Sequence, residues 1–325
     1  MHFKKIYICL ILIYLCFFLY GCNNKDNGVQ NPQITVIEES NSDKKEIQQP
    51  NNNTQPYYDT YTINLDIDPQ QGKITGIERV KFKNTVEKTL NEIYMNIYIN
   101  AFSEKCDYLP YFLSDEKYIF PMNKEYVEFN ILSILINNES VSFSLNNTIL
   151  NIKPQKPILP NEEIEITIQF DSKIPIMTHY SGRGNSNLWL GNFIPSIAVY
   201  DKNGWNKSYY YPLGEPFYYN ISNYDVTIVT PLEYMVAATG ISESKELDGK
   251  KVTNISAKMV RDFAVLIGKN LQKDSIETNN GVTINLYYTD ENYKKDTINE
   301  ILNLTKKILN IIQRILVVIH ILNLI

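Results

Sequence analysis

The chain has 325 residues, a formal net charge of -5 and a pI of about 5.4. This mildly acidic balance, with no basic stripe, argues against nucleic acid as a partner. Of the four cysteines, Cys9 and Cys16 lie in a predicted leader and Cys22 directly follows it. Cys106 is then alone in the exported part, so no disulfide framework is expected.

Residues 1–21 have the order of an export signal, with two lysines, an apolar stretch from Ile6 to Tyr20, and then Gly21. The apolar stretch is shorter than the roughly 20 residues that a membrane-spanning helix needs. The segment Leu19-Tyr-Gly-Cys22 is similar to the lipobox of bacterial lipoproteins. It predicts a signal peptide over 1–21 and a lipid anchor on Cys22 at the extracytoplasmic face of the cell membrane. An ordinary signal peptide that happens to contain a cysteine is the alternative.

Residues 22–56 consist mainly of Asn, Gln, Asp, Glu, Lys, Ser and Pro. Such a segment cannot bury enough apolar surface to offset the entropy lost on ordering. We therefore expect a disordered tether between the membrane anchor and the first folded residue, Tyr57.

Alternating apolar residues then dominate the chain. Tyr61 to Ile67 and Ile74 to Phe82 each place apolar side chains at every second position, and Asp68-Pro-Gln-Gln-Gly-Lys73 between them supplies turn residues. Similar runs are Ile93–Ile99, Tyr126–Ile136, Val141–Leu145, Glu163–Phe170, Tyr224–Val229, Tyr234–Ala238, Val252–Ile255, Phe263–Ile267 and Val282–Tyr288. The pattern predicts an all-β fold over 57–295, a saddle-like antiparallel β sandwich, followed by one C-terminal helix.

The period changes to that of a helix after residue 296. Thr297 and Glu300 have the spacing of a capping box, and apolar residues recur at helical intervals from Ile301. Beyond Arg314 the period is lost, and the last residues to Ile325 are almost all apolar. A helix buried on all sides and a shift of reading frame near residues 313–315 both account for this tail.

A series of motifs in the second half carries a resemblance. Its members are Trp189, Gly191 and Pro195, then Asp201, Gly204 and Trp205, then Gly214 and Pro216, then Asp225, Gly240, Arg261 and Asp262. In order and spacing they resemble the N-terminal β domain of the aminopeptidase N family of zinc metallopeptidases, in its bacterial lipoprotein branch. The resemblance covers about Tyr57 to Lys307 and implies a structural role for these residues.

The resemblance also implies what this sequence lacks. In the family, the β domain lies over a catalytic domain with an H-E-x-x-H zinc motif and a G-x-M-E-N substrate motif, and neither occurs here. The histidines are His2, His179 and His320. No catalytic or metal-binding residue and no cofactor is therefore assigned to this chain, although the full-length family uses zinc. We expect 296–325 to be the start of a missing catalytic domain, which a separately encoded partner could supply.

Other candidate sites are weaker. Arg183, between two glycines in the loop Tyr180–Gly184, could bind an anion, but a flexible surface turn is expected. That loop has no Gln or Glu to hold a substrate amine. Cys106 with His179 as a nucleophile pair has no third residue to support it, and Ser181 lacks the G-x-S-x-G motif.

The runner-up function is a surface lipoprotein whose β sandwich binds peptide or carbohydrate. It would use an aromatic strip formed by Trp189, Trp205, Tyr209–Tyr211 and Tyr218–Tyr219. A solute-binding lipoprotein of a transporter is disfavoured, because strands and helices do not alternate.

Overall fold

The computed structural model describes residues 56–211, 217–289 and 294–315. The chain divides into two units, Met1–Thr54 and Gln55–Ile325, and every described residue belongs to the second. The predicted signal peptide, Cys22, nearly all of the tether, and the tail after residue 315 lie outside the described residues.

Strands make up most of the described chain. They are β1 Asp59–Asp68, β2 Lys73–Lys83, β3 Ile93–Asn96, β4 Glu128–Ile136, β5 Glu139–Ser140, β6 Ser142–Asn146, β7 Ile149–Lys153, β8 Glu163–Lys173, β9 Ser181–Arg183, β10 Asn187–Leu190, β11 Ser196–Ile197, β12 Tyr200–Asp201, β13 Gly204–Trp205, β14 Ser222–Pro231, β15 Tyr234–Ala238, β16 Ile241–Leu247, β17 Lys250–Val260, β18 Val265–Lys269, β19 Gln272–Glu277 and β20 Thr283–Tyr288. The helical elements are 3₁₀ turns at Tyr98–Phe102 and Leu113–Asp115 and the helices α1 Glu116–Ile119 and α2 Lys295–Ile315.

The largest sheet has eight strands in the order β16-β17-β14-β1-β2-β8-β4-β5. Two four-stranded sheets accompany it, β15-β18-β10-β9 and β11-β3-β7-β6. The predicted all-β class with a C-terminal helix is confirmed. Among the strand pairs of the described residues, β1 and β14 run parallel, with Tyr61 opposite Tyr224. Parallel pairing needs a long crossover, and here it consists of all the chain between the two strands.

The first hairpin forms as its sequence predicts. Side chains at Tyr61, Ile63, Leu65 and Ile67 are buried, while the residues between them face outward. In the turn, a carboxylate oxygen of Asp68 accepts the backbone N–H groups of Gln70 and Gln71 at 3.0 and 3.1 Å. This Asx-type turn sets the register of β1 against β2.

The third predicted strand is shorter than its alternation suggests. It ends at Asn96, and Tyr98–Phe102 forms a 3₁₀ turn in which every residue is buried. The predicted alternation of Ile93–Ile99 therefore does not continue as a strand through Tyr98. The Tyr98 ring packs edge-on against Phe217 and Tyr219 at 5.1 and 5.7 Å, so aromatic packing outweighs strand periodicity here.

A second, smaller core lies at the C-terminal end. Ile284 of β20 packs with Ile298, Leu302 and Leu309 of α2, separately from the main core. The predicted cap at Thr297 is wrong, because α2 already begins at Lys295 and the N–H of Thr297 donates to the backbone oxygen of residue 294. Among the described residues, no helix is long and apolar enough to cross a membrane.

The main core contains buried carboxyl groups. Glu78 of β2 is fully buried, and neither of its carboxylate oxygens has a hydrogen-bond partner. Burial raises its pKa well above the usual value. Burial also raises the pKa of Asp262, and it raises that of Asp59 to about 7. These groups resist ionisation because the apolar surroundings penalise the charged form.

Candidate functional site

In the described chain, several aromatic side chains pack around His179. The rings of Phe102, Tyr180 and Tyr210 lie 4.6, 5.0 and 5.8 Å from the imidazole. Phe217 completes the group, with its ring 5.0 Å from Tyr180 and 5.6 Å from Tyr210. We call these five residues the His179 cluster.

Several elements hold the cluster in place. The indole N–H of Trp189 in β10 donates to the backbone oxygen of His179 at 2.7 Å. The backbone N–H of Thr178 donates to the oxygen of Ile119 in α1 at 2.7 Å. The 109–126 segment is thereby tied to the residue that precedes His179.

His179 is neutral over the physiological pH range. Burial lowers the pKa of its imidazole to about 4, because desolvation penalises the charged form. The hydroxyl group of Tyr210 lies 3.2 Å from the imidazole Nε2. The imidazole therefore serves as an uncharged hydrogen-bonding ring within an aromatic wall.

Exposed apolar side chains adjoin the cluster along the segment from 109 to 126. We call them the apolar rim: Leu109, Phe112, Leu113, Tyr118, Met122 and Tyr126. The buried ring of Tyr111 connects rim and cluster, lying 6.3 Å from Phe102 and 5.8 Å from Phe120. Tyr180 of the cluster and Tyr218, next to Phe217, are also exposed. A run of exposed large apolar groups is typical of an interaction surface.

The segment after Tyr180 is a strand and not the expected flexible turn. Ser181–Arg183 forms β9 and pairs with β10, where Gly182 lies opposite Trp189. A Cβ atom on Gly182 would approach the backbone oxygen of Met177 to 2.1 Å, so only glycine fits. Arg183 donates to the backbone oxygens of Ile174 and Gln70 at 3.0 and 3.2 Å. Its guanidinium group therefore links β9 to the backbone at Ile174 and Gln70.

The two candidate nucleophiles, Cys106 and Ser181, interact with groups other than His179 in the described chain. Burial raises the pKa of the Cys106 thiol, and the side-chain groups that influence it are Tyr108 and Asp107, not His179. The Ser181 hydroxyl donates to the backbone oxygen of Gly191 at 2.8 Å. The sequence alone could not decide whether Cys106 and His179 are in contact, and in the structure their side chains are not among each other's interacting groups.

The first motif residues support β9 and β10. Gly191 donates its N–H to the oxygen of Tyr180 at 3.0 Å, and a Cβ there would lie 2.8 Å from that oxygen. Pro195 is buried just before β11. Asp201 accepts the N–H of Asn203 at 2.7 Å in the turn between β12 and β13, and Gly204 has a φ of +97°. Gly214 and Pro216 lie outside the described residues.

The later motif residues hold the main sheet. Asp225 of β14 forms a 2.8 Å salt bridge with Lys258 of β17. Gly240 has a φ of +101°, and a Cβ there would lie 2.5 Å from the oxygen of Ser256. Asp262 accepts the N–H of Phe263 at 2.7 Å. Arg261 donates to the backbone oxygen of Tyr219 at 2.9 Å and lines the same cavity as Trp205.

The proposed aromatic strip does not form one surface. Trp205 packs with Phe82, Tyr94 and Tyr200 at 6.4, 6.1 and 5.2 Å, whereas Trp189 is bonded to the His179 backbone. Of the tyrosines proposed for the strip, Tyr210 and Tyr219 are buried, while Tyr211 and Tyr218 are exposed. The roles of the two tryptophans are therefore local and separate.

Zinc does not fit the donor groups that the described residues offer. In that part of the chain, no three His, Cys, Asp or Glu side chains are grouped to hold a metal ion. The imidazole of His179 contacts aromatic rings and a hydroxyl group instead of further ligands.

Sequence reasoning missed Phe102, Tyr180 and Phe217 as a group. They come from the 3₁₀ turn after β3, the residue before β9 and the segment before β14. No local pattern links these segments. The burial of Glu78, in contrast, could be inferred from the sequence, because it lies at alternate positions of β2 with the apolar residues Ile74 and Val80, which are buried.

No protein-family model matches the sequence, and no curated protein does. Among solved structures, the chain is similar to an M1 zinc metallopeptidase from Deinococcus radiodurans, with a TM-score of 0.48 and 11% identity over 73% of this chain and 48% of that one. It is also similar to a mutant two-domain M1 zinc metallopeptidase bound to L-arginine, with a TM-score of 0.47 and 9% identity over 73% of this chain and 49% of that one. The chain spans about half the length of these structures.

Proposed function

We propose that this chain carries the non-catalytic β domain of an aminopeptidase N-like zinc metallopeptidase and is held at the membrane by a lipid on Cys22. The ordered motifs from Trp189 to Asp262 support the assignment. The observation that carries it is the apolar rim beside the His179 cluster. The main core is complete without these exposed side chains, so their position favours a role in contact with a partner.

On this proposal, the partner is a catalytic domain whose zinc ligands lie outside this sequence. The His179 cluster would form an uncharged, rigid wall beside it. Neutral His179 suits that role, because a charged imidazole would be costly to bury in an apolar contact.

The docking proposal is tested by mixing the full chain with a separately encoded catalytic domain from the same genome. We expect a stable complex, and hydrolysis of chromogenic aminoacyl substrates that increases on mixing. Leu113→Ser, in the rim, should weaken the complex, whereas Ile241→Ser, on the edge strand β16, should not. The two side chains are matched in exposure, at 73% and 70%. Equal effects of both substitutions would contradict a docking role for the rim.

The metal proposal has a separate test. The full chain alone should bind no stoichiometric zinc and should release no amino acid above the level of a boiled sample. Chelator-sensitive activity that returns with zinc and follows this chain through purification would overturn the assignment.

Anchoring is tested at the predicted lipid site. Cys22→Ser should move the protein from the membrane fraction to the soluble fraction and abolish incorporation of labelled palmitate. Cys106→Ser, which changes a cysteine in the folded part, should leave both measurements unchanged. Equal retention of the Cys22 variant in the membrane would exclude a lipid anchor at this residue.

The runner-up, a peptide- or carbohydrate-binding surface lipoprotein, is supported by exposed Tyr211 and Tyr218. It predicts a chain that stays monodisperse without a partner and binds oligosaccharide or peptide through these rings. The partner-docking proposal predicts association or instability of the isolated chain instead.

A further inference from the structure

A cavity of about 360 Å³ lies at the end of the main sheet where β1 begins and β2 ends. Its lining includes Asp59, Phe82 and Lys83 from these strands, together with Trp205 and Arg261. None of the residues that line it belongs to the His179 cluster or the apolar rim. It is therefore a separate candidate site, independent of the docking function proposed above.

Asp59 is the acidic residue in the lining of this cavity. Asp59 is only 8% exposed, yet in the described part of the chain no lysine or arginine forms an ion pair with it. Among the described residues, a backbone hydrogen bond from Lys83 favours the charged form, and burial outweighs it. A buried carboxylate without a cation is costly, so a bound ammonium group would gain a strong interaction.

Aromatic rings form the walls beside Asp59. The Trp205 ring lies 6.4 Å from Phe82 and 5.2 Å from Tyr200, and all three line the cavity. The faces of such rings attract organic cations. The aromatic rings and the Asp59 carboxyl group therefore both favour a ligand with a small ammonium group attached to an apolar group.

Positive charge at the cavity limits which amine can bind. Lys83 and Arg261 are the cationic residues in the lining, and Asp59 is the acidic one. Arg261 is exposed, and one of its terminal nitrogens donates to the backbone oxygen of Tyr219 at 2.9 Å, which orients the guanidinium group. Two cationic side chains would repel a simple amine but would attract a ligand that also carries an anion.

We propose that this cavity binds a small zwitterion of the free α-amino acid class. The ammonium group would lie at Asp59, the carboxylate would face Arg261 and Lys83, and an apolar side chain would lie against Trp205. No bond is made or broken, so the site is one of binding only.

The ligand class is tested on the full chain by isothermal titration calorimetry with three probes of similar size. L-Phenylalanine carries both charges, 2-phenylethylamine only the ammonium group, and 3-phenylpropionate only the carboxylate. We expect saturable binding of phenylalanine, and binding of each single-charge probe that is weaker by about tenfold or more. No saturable binding of phenylalanine at millimolar concentration, or equal binding of the three probes, would overturn the proposal.

Variants locate the site. Asp59→Asn should weaken phenylalanine binding about 30-fold or more, because it removes the partner of a desolvated ammonium group. Asp66→Asn is the matched control, since Asp66 lies on the same strand but is exposed and paired with Lys250. Thermal melting checks that each variant is folded. If Asp59→Asn does not fold, Arg261→Gln decides, and unchanged phenylalanine binding in that variant would overturn the proposed orientation.

Discussion

Glu78 provides the sharpest physical prediction. It lies on β2 between Ile63 of β1 and Ile168 of β8, both buried, and its carboxylate oxygens have no partner. The substitution Glu78→Gln keeps the size of the side chain and removes its titration. No hydrogen bond among the described residues is lost by this change, so the effect isolates the cost of a buried acid.

The magnitude follows from proton linkage. Burial raises the folded-state pKa of Glu78 well above the unfolded-state value of about 4.3. Between these two pKa values the folded protein retains a proton that the unfolded chain releases, so stability falls as pH rises. The free energy of unfolding of the wild type should decrease by about 1.4 kcal/mol per pH unit more than that of the variant. Below the unfolded-state pKa the two proteins should differ by about 1 kcal/mol or less.

The assay is urea unfolding of the full chain followed by tryptophan fluorescence, at intervals of about one unit from about pH 4 to pH 7. Asp59 and Asp262 add slopes of the same sign, but these are common to both proteins and cancel in the difference. Glu128→Gln, at an exposed glutamate of β4, is the control and should leave the slope unchanged. Parallel curves for wild type and Glu78→Gln would refute the reasoning, because Glu78 would then ionise equally in both states.

Two further predictions concern single residues. Gly240→Ala should cost about 2 kcal/mol more in unfolding free energy than Gly249→Ala, since both glycines have positive φ but only the Cβ at 240 meets a backbone oxygen. Equal melting temperatures for the two variants would contradict this. The imidazole of His179 should titrate in NMR spectra with a pKa of about 4, and its contribution to stability should be lost as the pH falls from about 6.5, the unfolded-state value, to about 4. Titration near the usual value of about 6.5 would contradict the burial of its ring.

Strand positions in β1, β2, β8 and β14 were predictable, because alternation is a local property of the sequence. The extent of the C-terminal helix was also predictable, to within two residues at each end. Its first residue was not predictable from the capping-box spacing, because the helix already begins at Lys295 and the N–H of Thr297 donates to the backbone oxygen of residue 294. Edge strand β16 was missed because every residue in it is exposed and no alternation results.

The sequence by itself determined the β class of the fold, the leader-like N-terminus and the absence of an H-E-x-x-H motif, since each depends on residue types at short spacing. Only the tertiary structure decided that β1 pairs in parallel with β14 and that Asp59, Trp205 and Arg261 line one cavity. The three residues come from distant parts of the chain, and their meeting depends on how the sheets pack. Local periodicity carries no information about contacts between segments so far apart.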